Sequence, residues 1–265
     1  MKRIVFSDID GTLLTNDREV LPSTLKAINS LKKQDIPFII ISARSPSGIY
    51  PILDKHHLSC PIVSYSGALF LDENKKVVFH KGINKIVAKE VIEFIEKQRF
   101  DCSWNIFSFD DWIVKDRNDP RIVREENAVK AKSNEGSISD IKEDEIHKIL
   151  CICNINKTEE IEKKLQKKFP SLSIVKSSPI LLEIMEAGIT KASAIHKVCE
   201  LLNADISNAI AFGDNYNDKE MLMEVGKGFL MENAPTKLKE EIKLHTLDNE
   251  HDGIYHALKD LELIE

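Results

Sequence analysis

The stretch Ile4-Val5-Phe6-Ser7-Asp8-Ile9-Asp10-Gly11-Thr12 constrains this chain more than any other. Ile4-Val5-Phe6 is an apolar run that reads as a short buried strand, spanning about 4–8. It delivers two carboxylates where the strand gives way to a glycine-containing turn. In an open α/β sheet that end of the strands is where ligands bind. Period-2 geometry puts Asp8 and Asp10 on one side if the strand persists, and the turn brings both over one ligand. Adjacent anions repel unless something cationic lies beside them. A hard divalent ion held by oxygen ligands is the natural solution. Asp-Gly is also ordinary turn punctuation, and an Asp8 that caps the next segment needs no ligand. The short stretch alone leaves both readings open.

The rhythm of the following residues is α/β. Leu21, Leu25, Ile28 and Leu31 line one face of an amphipathic helix with Pro22 in its first turn. Pro37 opens Phe38-Ile39-Ile40-Ile41-Ser42, a continuous apolar run of the kind found in central parallel strands. Ile62-Val63-Ser64-Tyr65 is a third strand, and 69–71 with 77–79 make a hairpin. The pattern then changes. A helix at 86–97, strands at 102–107 and 111–115, a helix opened by Asp119-Pro120, a polar loop over 132–145, a strand at 148–155, a helix at 158–169 and strands near 172–176 and 180–185 predict an α+β layer. From 188 the α/β rhythm returns. A helix follows Thr190, and Asn208-Ala209-Ile210-Ala211-Phe212 is another buried strand that ends at Gly213-Asp214. The expected organisation is a core of residues 1–82 and 186–265, split by an inserted domain of residues 83–185.

Composition narrows the partners. The 265 residues hold 37 Lys and Arg against 43 Asp and Glu, a net charge of −6, so no global field favours nucleic acid. Met1-Lys2-Arg3 leads directly into the first strand without a signal peptide. No apolar run approaches the roughly 20 residues a membrane helix needs. The five cysteines have no framework spacing; Cys151 and Cys153 alternate on one strand face as small buried hydrophobes. A reducing cytoplasm fits.

Four clusters fall at the exits of core strands or at the start of the helix after one: Asp8 with Asp10, Ser42 with Arg44, Lys191, and Asp214 with Asn217 and Asp218. Taken alone, Ser42 reads as a turn cap and Lys191 as an exposed first-turn residue. Together, carboxylates, a hydroxyl and an ammonium are the parts of a metal-assisted phosphoryl site.

On these residues the chain resembles the haloacid dehalogenase-like phosphatases, in their Cof-type branch. Asp8-Ile9-Asp10-Gly11-Thr12-Leu13-Leu14 matches the first motif and Ser42 the second. Lys191, within Gly188-Ile189-Thr190-Lys191, matches the third, and Gly213-Asp214-Asn215-Tyr216-Asn217-Asp218 the fourth. Asn233-Ala234 and Asp252-Gly253-Ile254 also resemble late stretches of that branch. The resemblance implies an α/β fold with a Rossmann-like parallel sheet flanked by helices, and an inserted α+β cap domain that chooses the substrate. It implies Asp8 as nucleophile, Asp10 as general acid and base, Ser42 and Lys191 on the phosphoryl group, and Mg2+ on Asp8, the Asp10 backbone carbonyl and Asp214. Asn217 and Asp218 would position these groups from outside the metal's direct ligands. Gly11, Arg44, Ser66 and Gly67 are its substrate-binding candidates. Three departures stand out: Ser42-Ala43-Arg44 where the branch often has Thr-Gly-Arg, Ser66-Gly67-Ala68 where it usually has Asn-Gly-Ala, and Glu232 in place of a glycine before Asn233-Ala234.

The implied reaction is Mg2+-dependent hydrolysis of a small phosphorylated metabolite, either a sugar phosphate or a phosphorylated cofactor such as flavin mononucleotide or pyridoxal phosphate. The implied partners are that substrate alone, with no nucleic acid or membrane, in a monomer or weak homodimer. A phosphotransferase or phosphomutase on the same fold is the enzymatic alternative. A binding protein that kept the pocket without turnover is the non-enzymatic one. In the inserted segment Trp104, Asp110, Asp111, Trp112 and Arg121 are the residues to watch, with both tryptophans expected in that domain's own core or surface. His56-His57 reads as a loop pair.

Overall fold

The computed structural model describes residues 2–265. The chain divides into two compact units. The first comprises residues through Ala43, Pro51–Phe79 and Thr190–Glu265; the second comprises Arg44–Tyr50 and His80–Ile189.

The first unit is built on an eight-stranded sheet in the order Leu244–His245, Lys227–Leu230, Ala209–Gly213, Ile4–Ser7, Phe38–Ile41, Ile62–Ser64, Leu69–Leu71, Val77–His80. The strands from Leu244–His245 through Ile62–Ser64 run parallel, and Leu69–Leu71 turns back antiparallel. Ile4–Ser7 lies centrally, with every residue buried. That burial on both faces explains why the run is continuously apolar rather than alternating. Ile4, Phe6, Ile39, Ile41, Ala209 and Ala211 form one face, against Ala194, Ile195, Val198 and Cys199 of the helix Lys191–Leu201 and Met221 and Leu222 of the helix Lys219–Glu224. The chain winds outward from Ile4–Ser7 through 38–41 and 62–64 on one side. It later winds outward from 209–213 through 227–230 and 244–245 on the other. The order therefore reverses between Ile4–Ser7 and Ala209–Gly213, and the carboxyl ends of those strands flank the topological switch point.

The second unit holds a six-stranded sheet in the order Leu172–Lys176, Leu181–Glu186, Lys148–Cys153, Cys102–Ser108, Asp111–Val114, Asn134–Glu135. One face packs Trp104, Ile106, Ile149, Cys151, Leu182 and Ile184 against Val91 and Ile95 of the helix Lys85–Lys97 and Ile161 and Leu165 of the helix Thr158–Lys168. Trp104 and Trp112 are both buried, and their indole N–H groups donate to Glu96 (3.2 Å) and Asn105 (2.9 Å). Arg121 pairs with Asp101, and Asp110 accepts the Ser47 backbone N–H at 2.7 Å. All five cysteines are free; Cys151 and Cys153 are buried in one strand, with Cys102 directly across from Cys153.

The expected loop over 132–145 is not wholly a loop. It contains the short strand Asn134–Glu135, a helical turn at Ile138–Asp140 and the start of the strand Glu145–Ile146. Ile138 and Ile141 are buried there, and Ser137 and Asp140 cap the turn reciprocally. Two apolar anchors are enough to order a stretch whose average composition is polar.

Candidate active site

Asp8 follows directly on the central strand. Its backbone N–H continues the pairing by donating to Phe212 O at 3.0 Å, so the carboxylate is fixed at the strand exit. Asp214 follows the neighbouring strand Ala209–Gly213 in the same way. Adjacent parallel strands thus bring together two residues that are far apart in sequence.

The turn after Asp8 is closed on itself. Leu14 N–H donates to Ile9 O at 2.9 Å, and Asp10 and Leu14 form an isolated parallel bridge. Gly11 adopts φ +81°, and a Cβ placed there would stand 2.5 Å from Asp214 Oδ2. Only glycine meets both conditions. Thr12 Oγ1 then donates to Asp214 Oδ1 at 2.8 Å. Asp10 is solvent-exposed beside this group.

Lys191 opens the helix Lys191–Leu201. Thr190 and Ser193 form a reciprocal capping box at its start. A cation at a helix N-terminus is disfavoured by the dipole, yet Lys191 is 1% exposed. Its Nζ lies 2.6 Å from Asp8 Oδ1 and 2.5 Å from Asp218 Oδ1. Two carboxylates outweigh the dipole. Asp218 is fully buried, and its second oxygen accepts the backbone N–H groups of Asp214 and Asn215, each at 3.0 Å. Asp218 therefore bridges the lysine to the turn that carries Asp214. Asn217, in the same turn, is exposed.

The electrostatics follow from this crowding. Burial pushes the Asp8 carboxyl up to about 7; Lys191 pulls it down, while Asp218 and Asp214 push it further up. Burial also raises Asp214 to about 6 against the Thr12 hydrogen bond. Lys191 loses hydration on burial, but Asp8 and Asp218 more than compensate and hold its ammonium above the usual lysine range.

Ser42 is buried just beyond the strand Phe38–Ile41, its N–H on Val63 O. Ser66 N–H donates to Ser42 O at 2.8 Å, tying the next loop to it. Tyr65, Ser66 and Gly67 all have positive φ, at 52°, 54° and 127°. At Gly67 a Cβ would meet Thr190 O at 2.8 Å, so this loop packs directly on the start of the lysine's helix. Arg44 belongs to the second unit, where its guanidinium donates to Gly48 O at 3.3 Å.

The structure thus gathers Asp8, Lys191, Asp214 and Asp218 into one contact network. It seats Ser42, Ser66 and Gly67 on backbone contacts at neighbouring strand ends and leaves Asp10 and Asn217 at the surface. Thr12 had no assigned role in the sequence, although it stands in the first motif. Asp8, Asp214 and Asp218 each offer a carboxylate oxygen within 4.8 Å of the others, a grouping able to hold a metal ion. The donors are all hard oxygens. Asp218 is already committed to Lys191 and two N–H groups, which leaves Asp8 and Asp214 as the side chains fitted to a hard divalent cation.

Comparison with known proteins agrees with this geometry. The model of the haloacid dehalogenase-like hydrolase family matches residues 5–258. A Haemophilus influenzae protein named "Putative phosphatase" is 33% identical over 262 residues, covering 98% of each chain. The HMP-PP phosphatase of Yersinia pseudotuberculosis is 27% identical over 269 residues, covering 97% of this chain and 94% of its own. Among solved structures, a Thermotoga maritima protein superposes with a TM-score of 0.88 at 25% identity, covering 98% of this chain and 97% of that one. A haloacid dehalogenase-like hydrolase from Bacteroides thetaiotaomicron shares the fold with a TM-score of 0.88 at 23% identity, covering 98% of this chain and 100% of that one.

Proposed function

We propose, from the premise that this chain belongs to the haloacid dehalogenase-like hydrolases and is an enzyme of their phosphatase kind, that it hydrolyses the monoester of a small phosphorylated metabolite through a phosphoryl group carried on Asp8. The observation that carries this reading is the buried Asp8–Lys191–Asp218 contact beside Asp214 at the switch point.

Each role has a physical reason. Asp8 attacks phosphorus; the bond to the ester oxygen breaks as the bond to the carboxylate oxygen forms. Lys191 keeps the Asp8 carboxylate in place and offsets negative charge as it moves onto the phosphoryl oxygens. Asp10, exposed at the turn, gives its proton to the departing alkoxide. It then takes a proton from the water that attacks the acyl phosphate and restores Asp8. Ser42 donates to a phosphoryl oxygen. Asp218 holds Lys191 and the Asp214 turn in register. Asn217, Gly11, Ser66, Gly67 and Arg44 are assigned to binding and positioning. Asp8, Asp214 and the Asp10 backbone carbonyl would hold Mg2+, which supplies charge neutralisation for the phosphoryl oxygens and orients the group for in-line transfer. The second unit, which contains none of the four strand-end clusters apart from Arg44, is assigned substrate selection.

The test is phosphate release from a panel of sugar phosphates, phosphorylated cofactors and HMP-PP, with and without Mg2+, for wild type and Asp8→Asn. Metal-dependent release that Asp8→Asn abolishes supports the reading. Labelled-water oxygen should enter the released phosphate. Its absence, with a phosphorylated second product, would replace hydrolysis by transfer to an alcohol.

A further inference from the structure

The turn that carries Asp10 is held from outside by two side-chain amides. Asn233 Nδ2 donates to Gly11 O at 2.8 Å, and Asn249 Nδ2 donates to Leu14 O at 2.8 Å. These carbonyls lie just beyond Asp10 and at the far end of the same turn, where Leu14 bridges back to Asp10. The two donors come from 222 and 235 residues further along the chain.

Both donors sit on anchored backbone. Asn233 lies in a turn after the strand Lys227–Leu230, where Met231 N–H donates to Gly213 O at 2.9 Å and Ala234 N–H donates to Met231 O at 3.1 Å. That turn is therefore pinned to the end of the strand that delivers Asp214. Asn249 is buried in the turn closed by Gly253 N–H on Asp248 O, at 3.2 Å. Its neighbour Glu250 accepts the Asn16 N–H at 2.6 Å, a third tie to the same region.

We propose that Asn233 and Asn249 are positioning residues that clamp the Gly11–Leu14 turn, so that Asp10 is held where it can protonate the leaving oxygen. The inference rests on the role given to Asp10 above. A general acid must stand within about 2.6–3.2 Å of the atom it protonates. Asp10 is exposed, and the turn sets the backbone position from which its carboxyl reaches. A displacement of about 1 Å can cost about 100-fold in rate. Asp8 is fixed separately by the central strand and Lys191. The clamped turn also carries the Asp10 carbonyl assigned to Mg2+ and the Thr12 hydroxyl on Asp214. The substrates are therefore compared at saturating Mg2+, where the clamp's effect on protonation is read apart from metal binding.

The experiment compares kcat/KM for benzyl phosphate and p-nitrophenyl phosphate in wild type, Asn233→Ala, Asn249→Ala, Asp10→Asn and Asp8→Asn. The alkoxide of benzyl alcohol leaves poorly without a proton; p-nitrophenolate leaves well. Both kcat/KM values scale with the folded fraction, so their ratio is unaffected if a variant folds poorly. We expect each alanine variant to lose about tenfold or more on benzyl phosphate and less than about threefold on p-nitrophenyl phosphate, in the same sense as Asp10→Asn. The buried Asn249 should show the larger effect. Equal losses on both substrates, with Asp8→Asn inert and Asp10→Asn selective, would overturn the clamp alone. Persistent release by Asp8→Asn would overturn the reading on which it rests, and the clamp with it.

Discussion

Replacing Lys191 by methionine keeps a side chain of similar length and removes the ammonium. That ammonium is the shared partner of Asp8 and the fully buried Asp218, at 2.6 and 2.5 Å. Asp214 stands in the same cluster. Removing one partner of a buried pair costs about 3–5 kcal/mol, because the remaining charge has no compensation. Two carboxylates are stranded here, but Asp218 keeps two backbone N–H donors, and Asp8 can take up a proton. We therefore expect a loss of about 4 kcal/mol for Lys191→Met, read from urea unfolding at pH 8 without Mg2+. Adding Asp218→Asn to this variant removes one stranded charge while keeping an acceptor for the Asp214 and Asn215 N–H groups. It should restore about 1–3 kcal/mol, a non-additivity that a double-mutant cycle measures. Loss of the ammonium should also lower kcat/KM by about 100- to 1,000-fold. A destabilisation below about 1 kcal/mol, the level of an exposed pair, would refute the argument. So would strictly additive effects of the two substitutions.

Three further outcomes follow from the geometry. Gly11→Ala should cost at least about 1 kcal/mol and most of the activity, because it combines a left-handed backbone with a Cβ driven onto Asp214; thermal unfolding and phosphate release check it. Ser66→Asn should stabilise the protein by a few tenths of a kcal/mol, about the size of a small surface effect, because asparagine tolerates the left-handed φ of 54° better than serine; a raised urea midpoint would show it. Glu126 is buried, and hydrogen bonds from Ser133, Lys132 and Arg117 overcome its desolvation to hold its carboxyl down at about 2. A carboxyl with a depressed folded pKa stabilises above its unfolded value near 4.5 and loses that contribution as pH falls toward about 2. Glu126→Gln should therefore be less stable at neutral pH and show a shallower loss over that window; an unchanged acid limb would contradict the assignment.

The strand-end clusters were legible because their signal is local. An apolar run followed by Asp-x-Asp-Gly needs only the strand period and the turn chemistry of glycine to be read, and Gly213-Asp214 repeats the logic. Lys191 shows where local reasoning stops. By itself it reads as an exposed first-turn lysine, and its burial depends on carboxylates 183 residues before it and 27 after it. Thr12, Asn233 and Asn249 were harder still. A hydroxyl that steadies a carboxylate, or an amide that receives a distant carbonyl, leaves no periodicity in the chain. Residues 132–145 misled in the opposite direction, since their polar average concealed Ile138 and Ile141.

The pairing of Ile4–Ser7 with Ala209–Gly213 also has a consequence for synthesis. The central strand Ile4–Ser7 is made about 200 residues before Ala209–Gly213, one of its two neighbours. At about 5–20 residues per second, that interval is on the order of 10–40 s. Throughout it, one edge of an apolar strand has no native partner, and Asp8 stands without Lys191 or Asp214. The cluster of Asp8, Lys191, Asp214 and Asp218 therefore cannot assemble until residues 209–218 have been made, and the second unit can complete its own sheet while the first is still open. A chain truncated before Ala209 would lose the site and expose a template for association together.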